Sequence, residues 1–133
     1  MGVTVSWDNE ARTIIRYDVV NPWSFEELWG AVHQDNSMFD NINHHFYLIF
    51  NGTDVQTVPD NPVSKLKVLA EVIHPDLELI VIVGSNLWLQ TLGNLFYRMY
   101  GHKLGSLQGV WNARTVEEAR ELISIHAQTK IYA

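Results

Sequence analysis

Few residues of this chain are of the types that carry chemistry, and their spacing narrows what they can do. There is no cysteine, which removes thiolate nucleophiles, disulfide frameworks, thiolate zinc sites and iron–sulfur clusters together. The six histidines are scattered. His44 and His45 are adjacent, so in a strand they point to opposite faces, and His33, His74, His102 and His126 lack i, i+4 spacing. They read as surface or loop residues, and no metal site is expected. Asp54 and Asp60 flank one loop and form the only acidic pair that could converge for proton transfer. Glu26-Glu27 and Glu117-Glu118 fall in first helical turns, where the helix dipole alone accounts for them. No nucleophile-elbow, P-loop or dinucleotide string occurs, and Gly101, Gly105 and Gly109 are too widely spaced to cradle a phosphate. No catalytic residue and no cofactor is expected, and the chain reads as a non-enzyme.

The polar residues that remain cluster at the ends of apolar strands. In open α/β sheets, ligands sit outside the carboxyl ends of the strands. Here those ends are Asn51-Gly52-Thr53-Asp54, Gly84-Ser85-Asn86 and Trp111-Asn112-Ala113-Arg114. Asn51, Asp54, Ser85, Asn86, Asn112 and Arg114 are therefore the ligand-binding candidates. Gly84-Ser85-Asn86 leads directly into a helix, whose free amides favour an anion, and Arg114 adds a formal charge. The plainer alternative is that Ser85 and Asn86 cap the helix and Asn112 turns the chain.

The elements that must position these ends are legible in the hydrophobic pattern. Val3, Val5 and Trp7 alternate with polar residues, as do Thr13, Ile15, Tyr17 and Val19, with turn chemistry between them; this predicts a β-hairpin. Ser24-Phe25-Glu26-Glu27 is a capping box, flanked by a Trp23–Leu28 staple, and opens a helix to about Asp40. Phe46–Phe50 and Leu77–Val83 are continuous apolar runs, the mark of strands buried on both faces. Between them, Asn61 is expected to cap a helix with Pro62 at its first position, running to His74-Pro75. A strand over Ser106–Trp111 and a helix from the capping box at Thr115 to about His126 complete the chain. The order β-β-α-β-α-β-α-β-α predicts an α/β fold: a mixed, mainly parallel sheet with one antiparallel edge and four helices. At 133 residues with no linker or repeat, one domain spanning 1–133 is expected.

The helix over Leu87–Tyr100 is unusually apolar. Gln90, Thr91, Asn94 and Arg98 share a narrow polar stripe, and apolar side chains fill most of the remainder, a wider arc than a surface helix needs. Trp88, Leu92, Leu95, Phe96, Met99 and Tyr100 are the interface candidates, since aromatic side chains dominate interaction hot spots. Of the five tryptophans, only Trp88 is not already assigned to a strand, a staple or the first helix. A formal net charge of −6, with 15 acidic against 9 basic residues, argues against nucleic acid as a partner, because that binding draws on Lys and Arg neutralising phosphates. The longest apolar run is far shorter than the roughly 20 residues of a spanning helix. With no basic and apolar leader at its start, the chain reads as a soluble cytoplasmic protein.

The opening Val5-Ser6-Trp7-Asp8-Asn9-Glu10, the closing Asn112-Ala113-Arg114-Thr115-Val116-Glu117-Glu118-Ala119-Arg120-Glu121-Leu122-Ile123 and the element order resemble the SpoIIAA-like proteins of the STAS superfamily. The related STAS/SEC14-like group consists mainly of bacterial proteins. The resemblance implies a mixed sheet flanked by helices and a role in protein–protein signalling or ligand sensing. Anti-sigma antagonists of that family carry Asp-Ser-(Ser/Thr)-Gly at the start of the second helix, with a phosphorylated Ser. The matching place here reads Asp60-Asn61-Pro62-Val63, with Ser64 the nearest hydroxyl, so the usual phospho-acceptor is missing. The leading expectation is a non-enzymatic module acting through protein association, as a homodimer. The alternatives are a binder of a lipid or other apolar small molecule, and a small-anion binder or enzyme using the strand-end crevice.

Overall fold

The structure is a computed structural model that describes residues 2–38 and 44–132. Its elements are β1 (Val3–Trp7), β2 (Ile14–Val20), α1 (Phe25–Met38), β3 (Phe46–Asp54), α2 (Pro62–Val72), β4 (Leu77–Val83), α3 (Leu87–Tyr100), β5 (Gly109–Ala113) and α4 (Val116–Tyr132). This is the expected α/β order. The five strands form one sheet in sequence order, β1-β2-β3-β4-β5. β1 and β2 are antiparallel, with Val5 opposite Tyr17, and every later pair is parallel.

The layering follows from the order. Right-handed crossovers that step in one direction put their helices on one face of the sheet. Accordingly α1, α2 and α3 cover one face, through Leu28, Val32, Leu66, Leu89 and Phe96 packed on Ile15, Leu48, Ile80 and Ile82. α4 follows the last strand and returns over the other face, where Ala119 and Ile123 pack on Ile49, Leu79, Val81 and Val83. β4 is buried at all seven positions because both of its faces are covered.

Several boundaries differ from the sequence reading, each for a physical reason. β5 begins at Gly109 rather than Ser106, because residues 104–107 close a turn in which the Leu107 amide donates to the Leu104 carbonyl. α4 continues to Tyr132, beyond the expected end near His126. α1 ends at Met38; its expected last residues, Phe39 and Asp40, lie outside the described residues. Asn61 does not cap α2 with its side chain: it sits in the left-handed region at φ 58°, while Pro62 holds the first helical position as expected. Both capping boxes form in half. Glu27 donates its amide to Ser24 Oγ and Glu118 its amide to Thr115 Oγ1, but the Glu27 carboxylate accepts from the Gly2 amide instead of reaching back to Ser24. That exchange ties β1 to the start of α1.

Candidate functional site

The connections leaving β4 and β5 diverge, one to α3 on the first face and the other to α4 on the second. Adjacent strands whose connections part in this way leave a crevice at their carboxyl ends. It is present as an open depression of about 500 Å³, lined by Thr53, Gly84, Ser85, Leu87, Gln90, Asn112, Ala113, Arg114 and Glu118. That size lies within the roughly 300–1,000 Å³ typical of small-molecule sites. Its floor is backbone. The Gly84 amide donates to the Ala113 carbonyl at 3.0 Å, and Gln90 Nε2 donates to the Gly84 carbonyl at 3.0 Å.

Three of the six ligand-binding candidates meet here: Ser85, Asn112 and Arg114. Glu118, which the sequence reading explained by the helix dipole alone, joins them. Among the described residues, the side chains of Ser85, Asn112, Arg114 and Glu118 make no hydrogen bond or ion pair. The other three candidates serve the scaffold. Asn86 caps α3, accepting from the Leu89 amide at 2.9 Å and donating to the Val55 and Gln56 carbonyls. Asn51 donates to Asp18 and accepts from the Thr53 hydroxyl at 2.6 Å. Asp54 ends β3 exposed to solvent and Asp60 is exposed as well, and neither lines the crevice.

The α3 candidates divide by face. Leu92 and Phe96 are buried against the sheet, which corrects their assignment to an interface: both are core. Leu95 and Tyr100 are half-buried and pack on the same core. Of the candidates only Trp88 and Met99 are exposed; Leu87 and Tyr97 of the same helix are exposed as well. Beneath α3 lies a wholly apolar cavity of about 100 Å³, walled by residues including Trp23, Phe25, Trp29, Leu89, Leu92 and Phe96. It is smaller than the roughly 150 Å³ void that accepts benzene, a fraction of what an acyl chain requires.

Two buried acids were missed. Glu78 lies within the apolar run of β4 and is fully buried, accepting from His45 Nδ1 at 3.0 Å and His126 Nε2 at 2.9 Å. His45 is exposed in the loop before β3, as expected, but His126 sits on α4 with its side chain largely buried, so it is not a surface or loop residue. A lone charge inside a strand buried on both faces is the sequence signal that could have exposed the cluster, because such a charge must find partners. Asp35 of α1 is also buried and accepts from the Tyr17 hydroxyl at 2.5 Å. Burial pushes its carboxyl up to about 7, against the opposing pull of the Tyr17 hydrogen bond.

Among the described residues, no group of three His, Asp or Glu side chains is placed to hold a metal ion, and no helix is long and apolar enough to cross a membrane. Comparison with protein-family models, with curated proteins and with solved structures finds no match for this chain.

Proposed function

We propose that the protein binds a small polar molecule, bearing an anionic group and at least one hydrogen-bond donor, in the crevice at the carboxyl ends of β4 and β5. The observation that carries this reading is the set of four polar side chains without partners of their own, two of them oppositely charged, walling one depression. Arg114 would take the anionic group, since its planar fork suits carboxylate and phosphate oxygens. Glu118 would accept from the donor, and Ser85 and Asn112 would complete the orientation. Titration with inorganic phosphate and with free amino acids, followed by amide NMR shifts, tests it. Shifts are expected to concentrate at Ser85, Asn112 and Arg114, and Arg114→Ala should weaken binding about tenfold or more, as for loss of a charged hydrogen bond. Absence of any shift at these three amides under millimolar probe would remove the reading.

A second reading, association with another copy of this chain, agrees with the STAS resemblance and is favoured by the outer edge of α3. Leu87 and Trp88 at the start of α3 and Met99 near its end are 75%, 49% and 41% exposed, large apolar side chains with no cover. Sedimentation equilibrium at micromolar concentration is expected to give a dimer, and Trp88→Glu a monomer. A wild-type monomer throughout that range would exclude it.

A further inference from the structure

The Glu78 cluster lies at the opposite end of the strands from the crevice, and its geometry is that of a proton relay. Phe46 pairs with Leu77 but Tyr47 pairs with Leu79, so Glu78 is the extra residue of a β-bulge. Bulges re-aim side chains and are over-represented next to active sites. Here the bulge turns a carboxylate into the layer between the sheet and α4, where it is fully buried. Around it stand His45 before β3, Tyr47 in β3 and His126 in α4, and Ser106 in the turn before β5 contacts His45 in turn. An ionised carboxylate only accepts hydrogen bonds. Against that form of Glu78 both imidazoles donate, His45 through Nδ1 to Oε1 at 3.0 Å and His126 through Nε2 to Oε2 at 2.9 Å. Burial and the nearby Glu78 together push the Tyr47 phenol upward.

That arrangement sets the tautomer of His45. With the proton on Nδ1, its Nε2 presents a lone pair, and Ser106 Oγ lies 3.3 Å away. A hydroxyl against Nε2, with a carboxylate on Nδ1 of the same ring, is the connectivity of a nucleophile, base and orienting acid. The exposure gradient agrees: the Glu78 side chain is 0% exposed and that of His45 is 44% exposed. Glu78 is held in place from its far side as well. His126, on its second oxygen, is packed edge-on against Tyr47 and Trp111, with ring centroids at 6.1 and 5.5 Å.

We propose that Ser106, His45 and Glu78 form an acyl-transfer relay, with Ser106 as nucleophile, His45 as general base and Glu78 as positioning residue, acting on a small ester presented at this open edge. Ser106 Oγ adds to the ester carbonyl carbon as His45 Nε2 takes the hydroxyl proton. The bond from carbon to the alcohol oxygen breaks, and His45 returns the proton to that oxygen, leaving an acyl-serine and a free alcohol. Water then adds to the acyl carbonyl, giving a proton to His45. The carbon–Oγ bond breaks, the serine recovers the proton, and a carboxylic acid leaves.

The test is reaction of the full chain with a fluorophosphonate, read by peptide mass spectrometry, and turnover of p-nitrophenyl acetate. One adduct on Ser106 is expected, absent in Ser106→Ala. His45→Ala should slow labelling about a hundredfold, the ordinary contribution of a general base, and added imidazole should restore part of the rate. Glu78→Gln should lower kcat with KM little changed, because the substrate contacts remain while the base loses its orienting charge. No adduct on Ser106, or labelling of His45→Ala at the wild-type rate, would overturn the proposal. Neither outcome bears on the crevice, which shares no residue with the relay.

Discussion

Gly84→Ala should lower stability by about 2–4 kcal/mol, the sum of a strained backbone conformation and overpacking, and should distort the crevice at the same time. Gly84 has φ +127°, a conformation that L side chains rarely adopt. A Cβ there would sit 2.7 Å from the Gly52 carbonyl oxygen and 3.0 Å from its carbon. These are backbone atoms at the end of the neighbouring strand β3, so they cannot rotate away as a side chain could. Relief requires β3 and β4 to separate where Gly84 closes onto Ala113. Gly30 is the control. It lies within α1 with nothing within 4 Å of an added Cβ, so Gly30→Ala should stabilise by about 0.5–1 kcal/mol through helix propensity alone. Urea denaturation of both variants measures the contrast. Equal and small effects would show that the turn at Gly84 relaxes freely and that the crevice floor is not rigid.

Gly84 also illustrates what the sequence could show. Gly84 closing an apolar run marked the end of a strand, and the alternation of Val3, Val5 and Trp7 marked a hairpin, because both signals are local. The layering was not legible, because the order of strands in the sheet, which decides the face each crossover helix covers, is set by non-local pairing. The crevice was half legible. Ser85, Asn112 and Arg114 were found because strand ends are where backbone polar groups open to solvent. Asn51 and Asn86 looked the same in sequence, yet Asp18 and the Val55 and Gln56 carbonyls occupy their side chains. Those partners are 30 or more residues away in the chain, so no spacing could announce them. The role of His126 was hidden for the same reason. His45 and His126 reach one carboxyl only because a bulge in β4 places Glu78 between them, and the lone charge in that apolar run was its one local sign. On α3, composition revealed the wide apolar arc, but only packing separates Leu92 and Phe96, which face the sheet, from Trp88 and Met99, which do not.

Asp35→Asn is expected to stabilise the protein at pH 8 and to leave it nearly unchanged at pH 4. Asp35 is 4% exposed, and burial raises its carboxyl to about 7 in the fold, against the ordinary 3.8. Below about pH 4 the carboxyl is neutral in both states and costs nothing. As pH rises toward 7 the unfolded chain releases the proton while the folded one retains it, so the folded state binds more protons and stability falls. Above pH 7 both states are ionised and the loss is complete. A difference of this size corresponds to about 4 kcal/mol. Asparagine keeps an oxygen to accept from the Tyr17 hydroxyl, whose own ionisation is pushed far upward by burial and by Asp35. It carries no charge to bury, so its stability should not follow this slope. Tyr17→Phe should act in the opposite direction. It removes the donor that favours the carboxylate and leaves Asp35, whose Oδ1 already has no partner among the described residues, without a hydrogen bond on either oxygen. Its penalty should therefore grow from pH 4 to pH 8. Urea unfolding of the three proteins at both pH values decides the matter: parallel behaviour of wild type and Asp35→Asn between pH 4 and pH 8 would mean that Asp35 is ionised throughout and held by a partner other than Tyr17.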